Sequence, residues 1–179
     1  MVDTSNRQSQ ARPLQVAIVG GGITGLVLAI GLQARGVDFT IYERASGFRE
    51  IGAGFSLSPN ARAALKALDP AMLDAFKKVA TPSSDERLQW VDGFRSDESV
   101  FSMDQPEGGF IGCRRADFLE LLVLLVPPDK VQLSKELDEL TVREDGMTVL
   151  AFKDGSTAVA DTGQILWTRT RQTRADAAS

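Results

Sequence analysis

At 179 residues, with 43% hydrophobic and 25% charged positions, the chain has the composition of a soluble globular protein with room for one core, or for a domain plus a fragment. A net charge of −4 and a pI near 4.9 exclude a protein devoted to nucleic-acid phosphates, and Arg169, Arg171 and Arg174 read as a solvated cluster in a polar tail. The absence of histidine removes Ser-His-Asp triads and imidazole-ligated zinc, and it leaves the single cysteine, Cys113, with no imidazole to activate it.

Residues 1–13 are polar and lack an apolar signal core, so a disordered lead-in is expected. Residues 14–19 form a short continuous apolar run that ends at Gly20-Gly21-Gly22, the pattern of a buried parallel strand. Residues 23–35 are strong helix formers, apolar on most sides, and Gly36 closes them; such a helix needs cover on most sides. A β-rich run at 37–42 completes strand, glycine turn, helix and strand, a βαβ unit with a right-handed crossover. Glycines interrupt the apolar stretch 16–32 at its centre, so it is not a spanning helix; no membrane association and a cytoplasmic location are expected.

Ser58-Pro59 and Asp69-Pro70 each read as a helix cap followed by proline at the first helical position. Ala61, Ala64, Leu65 and Leu68 line one face of the first of these helices, and Met72, Leu73, Phe76 and Val79 one face of the second. Short strands are expected at 88–91 and 100–101. Cys113, beside Ile111 and Gly112, reads as a small buried side chain. Residues 117–126 form an apolar helix stopped by Pro127-Pro128, and 131–133 a third buried strand. Runs at 137–142, 147–152 and 157–160 predict a three-stranded meander, with Asp145-Gly146 and Asp154-Gly155 at its turns.

The glycine turn carries the functional reading. A lone G-x-G-x-x-G is weak, but here Gly20, Gly22 and Gly25 follow a strand, open a helix, and precede an acid, Glu43, at the end of the next strand. Gly20 permits the tight turn, Gly22 lets a pyrophosphate approach the backbone, and Gly25 lets helix and strand pack closely. The phosphates then meet free N–H groups and the positive end of the helix dipole. Glu43 is placed to accept hydrogen bonds from the adenosine ribose and to repel a phosphate on that ribose.

The turn alone does not separate FAD from NAD. The segments Arg49-Glu50-Ile51-Gly52-Ala53-Gly54-Phe55-Ser56-Leu57-Ser58-Pro59-Asn60-Ala61 and Cys113-Arg114-Arg115-Ala116-Asp117-Phe118-Leu119 resemble the FAD-dependent aromatic hydroxylases, the family of salicylate and para-hydroxybenzoate hydroxylases. The fungal salicylate-hydroxylase-like monooxygenases resemble it best, over residues 14–161, with Asp154-Gly155-Ser156 and Ala160-Asp161 in the family's order. The resemblance implies an α/β, Rossmann-like FAD-binding domain with a parallel sheet and a β-meander crossover. It also implies that Glu43 binds the adenosine ribose, Ala53 and Gly54 lie beside the flavin, Arg115 contacts the phosphate or ribityl region, and the backbone near Leu137 meets the adenine. For Arg115 there is an independent argument: a cation at the start of an apolar helix is unfavourable unless an anion sits with it. The alternatives are that Arg115 pairs with Asp117 or reaches solvent, and that Arg114 takes its place; Arg44 is weighed between the adenosine and the bare surface.

After Asp161 the agreement stops. The family's Gly-Ala-Asp-Gly segment is absent, and 162–179 reads as a divergent, disordered tail, with a short strand at 165–167 as the exception. A frameshift, a retained intron or a wrong exon boundary would account for so abrupt a change. The expectation is therefore an incomplete FAD-binding domain over 14–161, without the part that encloses substrate, and with apolar helix surface uncovered around 121–126. Two functions follow. One is a monooxygenase that hydroxylates a small phenolic molecule with FAD, NAD(P)H and dioxygen; the other is a catalytically inactive FAD-binding fragment of such an enzyme. An NAD-linked dehydrogenase explains the glycine turn but not residues 52–61. No residue is assigned a catalytic role, and no metal site is expected.

Overall fold

The computed structural model describes residues 14–48, 53–81, 87–95, 98–104 and 109–165, the last four by backbone only; the expected lead-in and the tail beyond 165 lie outside these residues. Strand β1 (Gln15–Val19) pairs in parallel with β2 (Asp38–Tyr42), and helix α1 (Ile23–Gln33) joins them, as the βαβ reading requires. β1 is apolar without alternation because both of its faces are buried. Val16 and Ile18 enter a core shared with α1, whereas Ala17 and Val19 enter a second core on the opposite side.

Beyond β2 the chain forms β3 (Gly54–Leu57), α2 (Pro59–Leu68) and α3 (Pro70–Val79). Both proline-marked helix starts stand where expected, and the Asp69 carboxylate accepts the Ala71 N–H at 2.8 Å. Ser58 does not cap with its side chain; its hydroxyl donates to Asn60 Oδ1 instead. On α3 the expected stripe is buried or half-buried, with Met72 and Phe76 fully so. On α2 the expectation fails in one place: Ala64 is exposed, and Leu65 alone is buried, because α2 touches the core along a narrow edge.

A hairpin follows, β4 (Arg87–Asp92) with β5 (Glu98–Asp104), longer than the expected strands and irregular between Trp90 and Val91. Leu88 faces Met103 and Trp90 faces Phe101, with ring centroids 5.1 Å apart, and these side chains remain substantially exposed. Next come β6 (Ile111–Arg114), antiparallel to β3, and α4 (Arg115–Val123). The segment around 121–126 is not the uncovered surface expected of it. Leu122 and Val126 are buried in the helix-side core, and only Leu124 stands out, 78% exposed. The exposed apolar surface lies on the hairpin instead.

β7 (Val131–Gln132) pairs in parallel with β2. The meander then runs through β8 (Leu137–Val142), β9 (Thr148–Phe152) and β10 (Thr157–Ala160), its turns carrying Gly146 and Gly155 at positive φ as the Asp-Gly pairs predict. Leu137, Leu150, Phe152 and Ala160 cover the second face of β1, with Phe152 4.9 Å from the Tyr42 ring. Finally β11 (Thr162–Ile165) lies parallel to β1, giving the sheet order β11-β1-β2-β7. Ordered pairing thus continues past the boundary drawn at 161 and begins before the strand expected at 165–167. The fold is a parallel sheet with helices on one side and the meander on the other, the Rossmann-like arrangement expected. No helix among the described residues is long and apolar enough to cross a membrane.

At the far end of β2, Asp38 meets Lys130 at 2.6 Å, which holds the Asp38 carboxyl below its usual range and raises the Lys130 ammonium. A lowered carboxyl stabilises the fold above its unfolded-chain value, and that contribution disappears as pH falls through the folded value. The raised ammonium contributes below its own unfolded value and loses this as pH rises through the folded one. Asp38→Asn is therefore expected to lower the melting temperature slightly and evenly across neutral pH. The difference from the parent should shrink at acid pH, as the Asp38 carboxyl becomes protonated in the folded chain. A difference unchanged at acid pH would remove the ion pair as its cause.

Candidate functional site

Four separate segments meet at the carboxyl ends of β1 and β2, where α1 begins. Gly20 turns the chain with φ 107° and donates its N–H to Tyr42 O at 2.8 Å, so the turn is anchored to the end of β2. A Cβ on Gly25 would lie 2.0 Å from Gly20 O, which is the physical content of the third glycine: helix and turn are in backbone contact. Among the described residues, a Cβ on Gly22 would meet only the Arg115 guanidinium, at 3.6 Å. No side chain caps the start of α1, and no acid occupies its first turn. A helix opening of that kind, with a guanidinium beside it, fits a bound anion.

Glu43 sits across this opening. Its Oε2 accepts the Gly21 N–H at 2.6 Å and its Oε1 accepts the Ala45 N–H at 2.8 Å. A carboxylate has further lone pairs on each oxygen, so both remain able to accept from a ligand. Gly21 itself is needed for a reason the sequence did not supply: a Cβ there would lie 2.5 Å from the Phe48 ring and 3.3 Å from Glu43 Oε2. Neither Gly21 nor Phe48 was picked out as a site residue. The middle glycine of the run 20–22 was the available signal.

Ala53 and Gly54 are joined through β3 to the segment that carries Arg115. The pairing of β3 with β6 sets Gly54 opposite Arg114, and the Arg115 N–H donates to Ala53 O at 2.9 Å. Both Ala53 and Gly54 are exposed. Neither strand was expected, although Phe55 and Leu57, and Ile111 and Cys113, alternate with smaller or polar residues as strands do. The two arginines are placed differently. Asp117 pairs with Arg114 at 3.6 Å, whereas the Arg115 guanidinium lies at the glycine turn.

Other sequence candidates fall elsewhere. Leu137 is buried in the meander-side core, with its backbone in β8, and Arg44 is exposed. Cys113 is buried, and desolvation pushes its thiol up, which disfavours a nucleophile. Among the described residues no group of three or more Cys, Asp or Glu side chains is placed to hold a metal ion. The cavity of about 270 Å³ between Gln33, Val37, Phe39, Pro127 and Lys130 lies at the far end of β2 and takes no part in this site.

Residues 18–49 match the family model described as an NAD(P)-binding Rossmann-like domain. The chain is 50% identical over 155 residues to the FAD-dependent monooxygenase pigN of Monascus ruber, covering 83% of this chain and 36% of that protein. It is 37% identical over 166 residues to the salicylate hydroxylase asL1 of Sarocladium schorii, covering 86% of this chain and 35% of that one. A solved salicylate hydroxylase–substrate complex superposes with a TM-score of 0.68 at 30% identity, over 86% of this chain and 35% of its own. The chain thus spans about a third of the length of the curated relatives it matches.

Proposed function

We propose, from the premise that this chain belongs to the fungal FAD-dependent aromatic monooxygenases related to salicylate hydroxylase and spans their N-terminal, FAD-binding portion, that its 179 residues hold FAD without hydroxylating a phenol by themselves. The observation that carries this reading is the convergence of Gly22, Glu43 and Arg115 on the opening of α1. The diphosphate rests against the first turn of α1 and over Gly22, where backbone N–H groups and the Arg115 guanidinium face it. Glu43 receives the ribose hydroxyls, with the bonds from Gly21 and Ala45 fixing the direction of its carboxylate. The exposed backbone of Ala53 and Gly54 lines the path from the diphosphate toward the flavin ring.

When bound, FAD supplies the redox and oxygen chemistry; these residues bind and orient it. For the family's longer polypeptide we assign hydroxylation of a small aromatic ring, with NAD(P)H as the reductant. Within the span described, no side chain is given a catalytic role. An NAD-linked dehydrogenase accounts for residues 18–49 alone, whereas the bond from the Arg115 N–H to Ala53 O, with the Arg115 guanidinium at Gly22, supports the longer flavin dinucleotide.

The purified chain, incubated with FAD and desalted, is expected to retain flavin absorbance and to show no NAD(P)H oxidation stimulated by salicylate. Complete loss of flavin on desalting would end the cofactor assignment; salicylate-stimulated oxidation would end the claim that the span is inactive alone. Arg115→Ala should weaken FAD binding about tenfold, with a steeper loss at low salt, and Arg114→Ala less than about twofold. Equal losses in a titration of flavin fluorescence would show that Arg115 has no special place.

A further inference from the structure

We propose that Lys135 is a positioning residue of this site: by holding residues 133–136 between the meander and the end of β2, it sets the direction of the Glu43 carboxylate. This rests on the flavin-binding reading. Glu43 is joined to that segment through its backbone: its N–H donates to Gln132 O at 2.9 Å, and its carbonyl accepts the Lys135 N–H at 2.8 Å. Ser134 N–H donates to Ala45 O at 3.0 Å, in the same loop that supplies one donor to the carboxylate. To make these bonds Ser134 adopts φ 57°, a left-handed conformation that a residue with a Cβ keeps only where its surroundings impose it.

The Lys135 side chain provides that constraint. Its Nζ reaches Asp154 Oδ2 and Ser156 Oγ, each at 2.7 Å, and stands 5.6 Å from the centre of the Phe152 ring. Asp154 Oδ1 in turn accepts the Ser156 N–H at 3.0 Å and the Ser156 hydroxyl at 2.6 Å, so the ammonium grips a turn that is already organised. This environment holds the Asp154 carboxyl well below its ordinary range, Lys135 being the largest cause. A second link runs alongside: Lys153 N–H donates to Glu136 O at 2.9 Å and its Nζ to Glu136 Oε1 at 2.6 Å. The turn between β9 and β10 is thereby tied to the glycine turn through Lys135, Glu43 and Gly21.

Lys135→Met keeps the aliphatic stem and removes the ammonium. In the full chain it is expected to weaken FAD binding about tenfold, with recovery to within about threefold in Lys135→Arg. Because the effect passes through Glu43, the same substitution placed on Glu43→Gln should change FAD binding by less than about twofold. Hydrogen exchange of the Gly21 amide, read without FAD, should quicken at least about threefold in Lys135→Met. Equal losses in both backgrounds, or an unchanged Gly21 amide, would overturn the proposal, since a general loss of stability does not depend on residue 43. If the parent chain binds no FAD, the flavin reading fails and the Gly21 amide alone decides the role of Lys135. Should Lys135→Met not fold, Asp154→Asn removes the opposite partner from the surface and is read in the same two ways.

Discussion

Gly25→Ala is expected to cost at least about 3 kcal/mol of stability, to lower the melting temperature by about 10 °C, and to abolish retention of FAD. The added methyl would stand 2.0 Å from Gly20 O and 3.2 Å from Gly20 C, far inside van der Waals contact, and neither partner can retreat. Gly20 is pinned by its N–H bond to Tyr42 O and continues β1, which is paired on both sides. Helix α1 is held by Leu26, Ala29 and Ile30, all buried in the helix-side core. The clash is therefore relieved only by lifting the start of α1 from the sheet, and that displaces the N–H groups that face the diphosphate. Gly47→Ala is the matched control: a Cβ there meets nothing within 4 Å among the described residues, and the change should stay within about 0.5 kcal/mol. Thermal melts and desalting read both variants. A Gly25→Ala chain that melts with the control and keeps its flavin would contradict the backbone contact on which the site is built.

Glu43→Gln should weaken FAD binding by roughly 2 kcal/mol, about thirtyfold, with a smaller effect on stability. The substitution is nearly isosteric, so packing against Phe48 and Gly21 survives. What changes is hydrogen bonding. The carboxylate accepts from both the Gly21 and the Ala45 N–H, whereas an amide has one acceptor oxygen and brings two N–H donors. One backbone donor is left facing an NH2 group, and the charge that strengthens bonds from ribose hydroxyls is lost. Titration of flavin fluorescence measures the constant directly. A value within about twofold of the parent's would remove Glu43 from the cofactor site and leave it as a loop brace.

The βαβ unit was legible because its determinants are local. The doubly buried strand shows as an unbroken apolar run from Val16 to Val19, the close contact of helix and turn demands Gly25, and Glu43 closes the unit at the end of β2. The meander was legible for the same reason: its turns carry Asp-Gly pairs and its strands alternate. Strands β3 and β6 escaped notice because each has four residues, includes a glycine, and is stabilised by a partner more than fifty residues away, which no local window contains. The burial of Leu122 and Val126 was misjudged similarly. Their cover comes from the helix-side core they share with α1 and α3.

By itself, then, the order of residues determined the βαβ unit and its markers: a glycine turn, a helix opening and an acid are written within one continuous stretch, and steric and hydrogen-bonding rules act there at short range. Tertiary structure decided which of two adjacent arginines lies at the glycine turn. Pairing of β3 with β6 fixes the start of α4, Asp117 takes Arg114, and Arg115 is delivered to Gly22 from the opposite side of the opening. Tertiary structure likewise brought the Lys135 ammonium to Asp154 and Ser156 while its backbone N–H bonds the Glu43 carbonyl, contacts that form only after the meander has folded across the sheet.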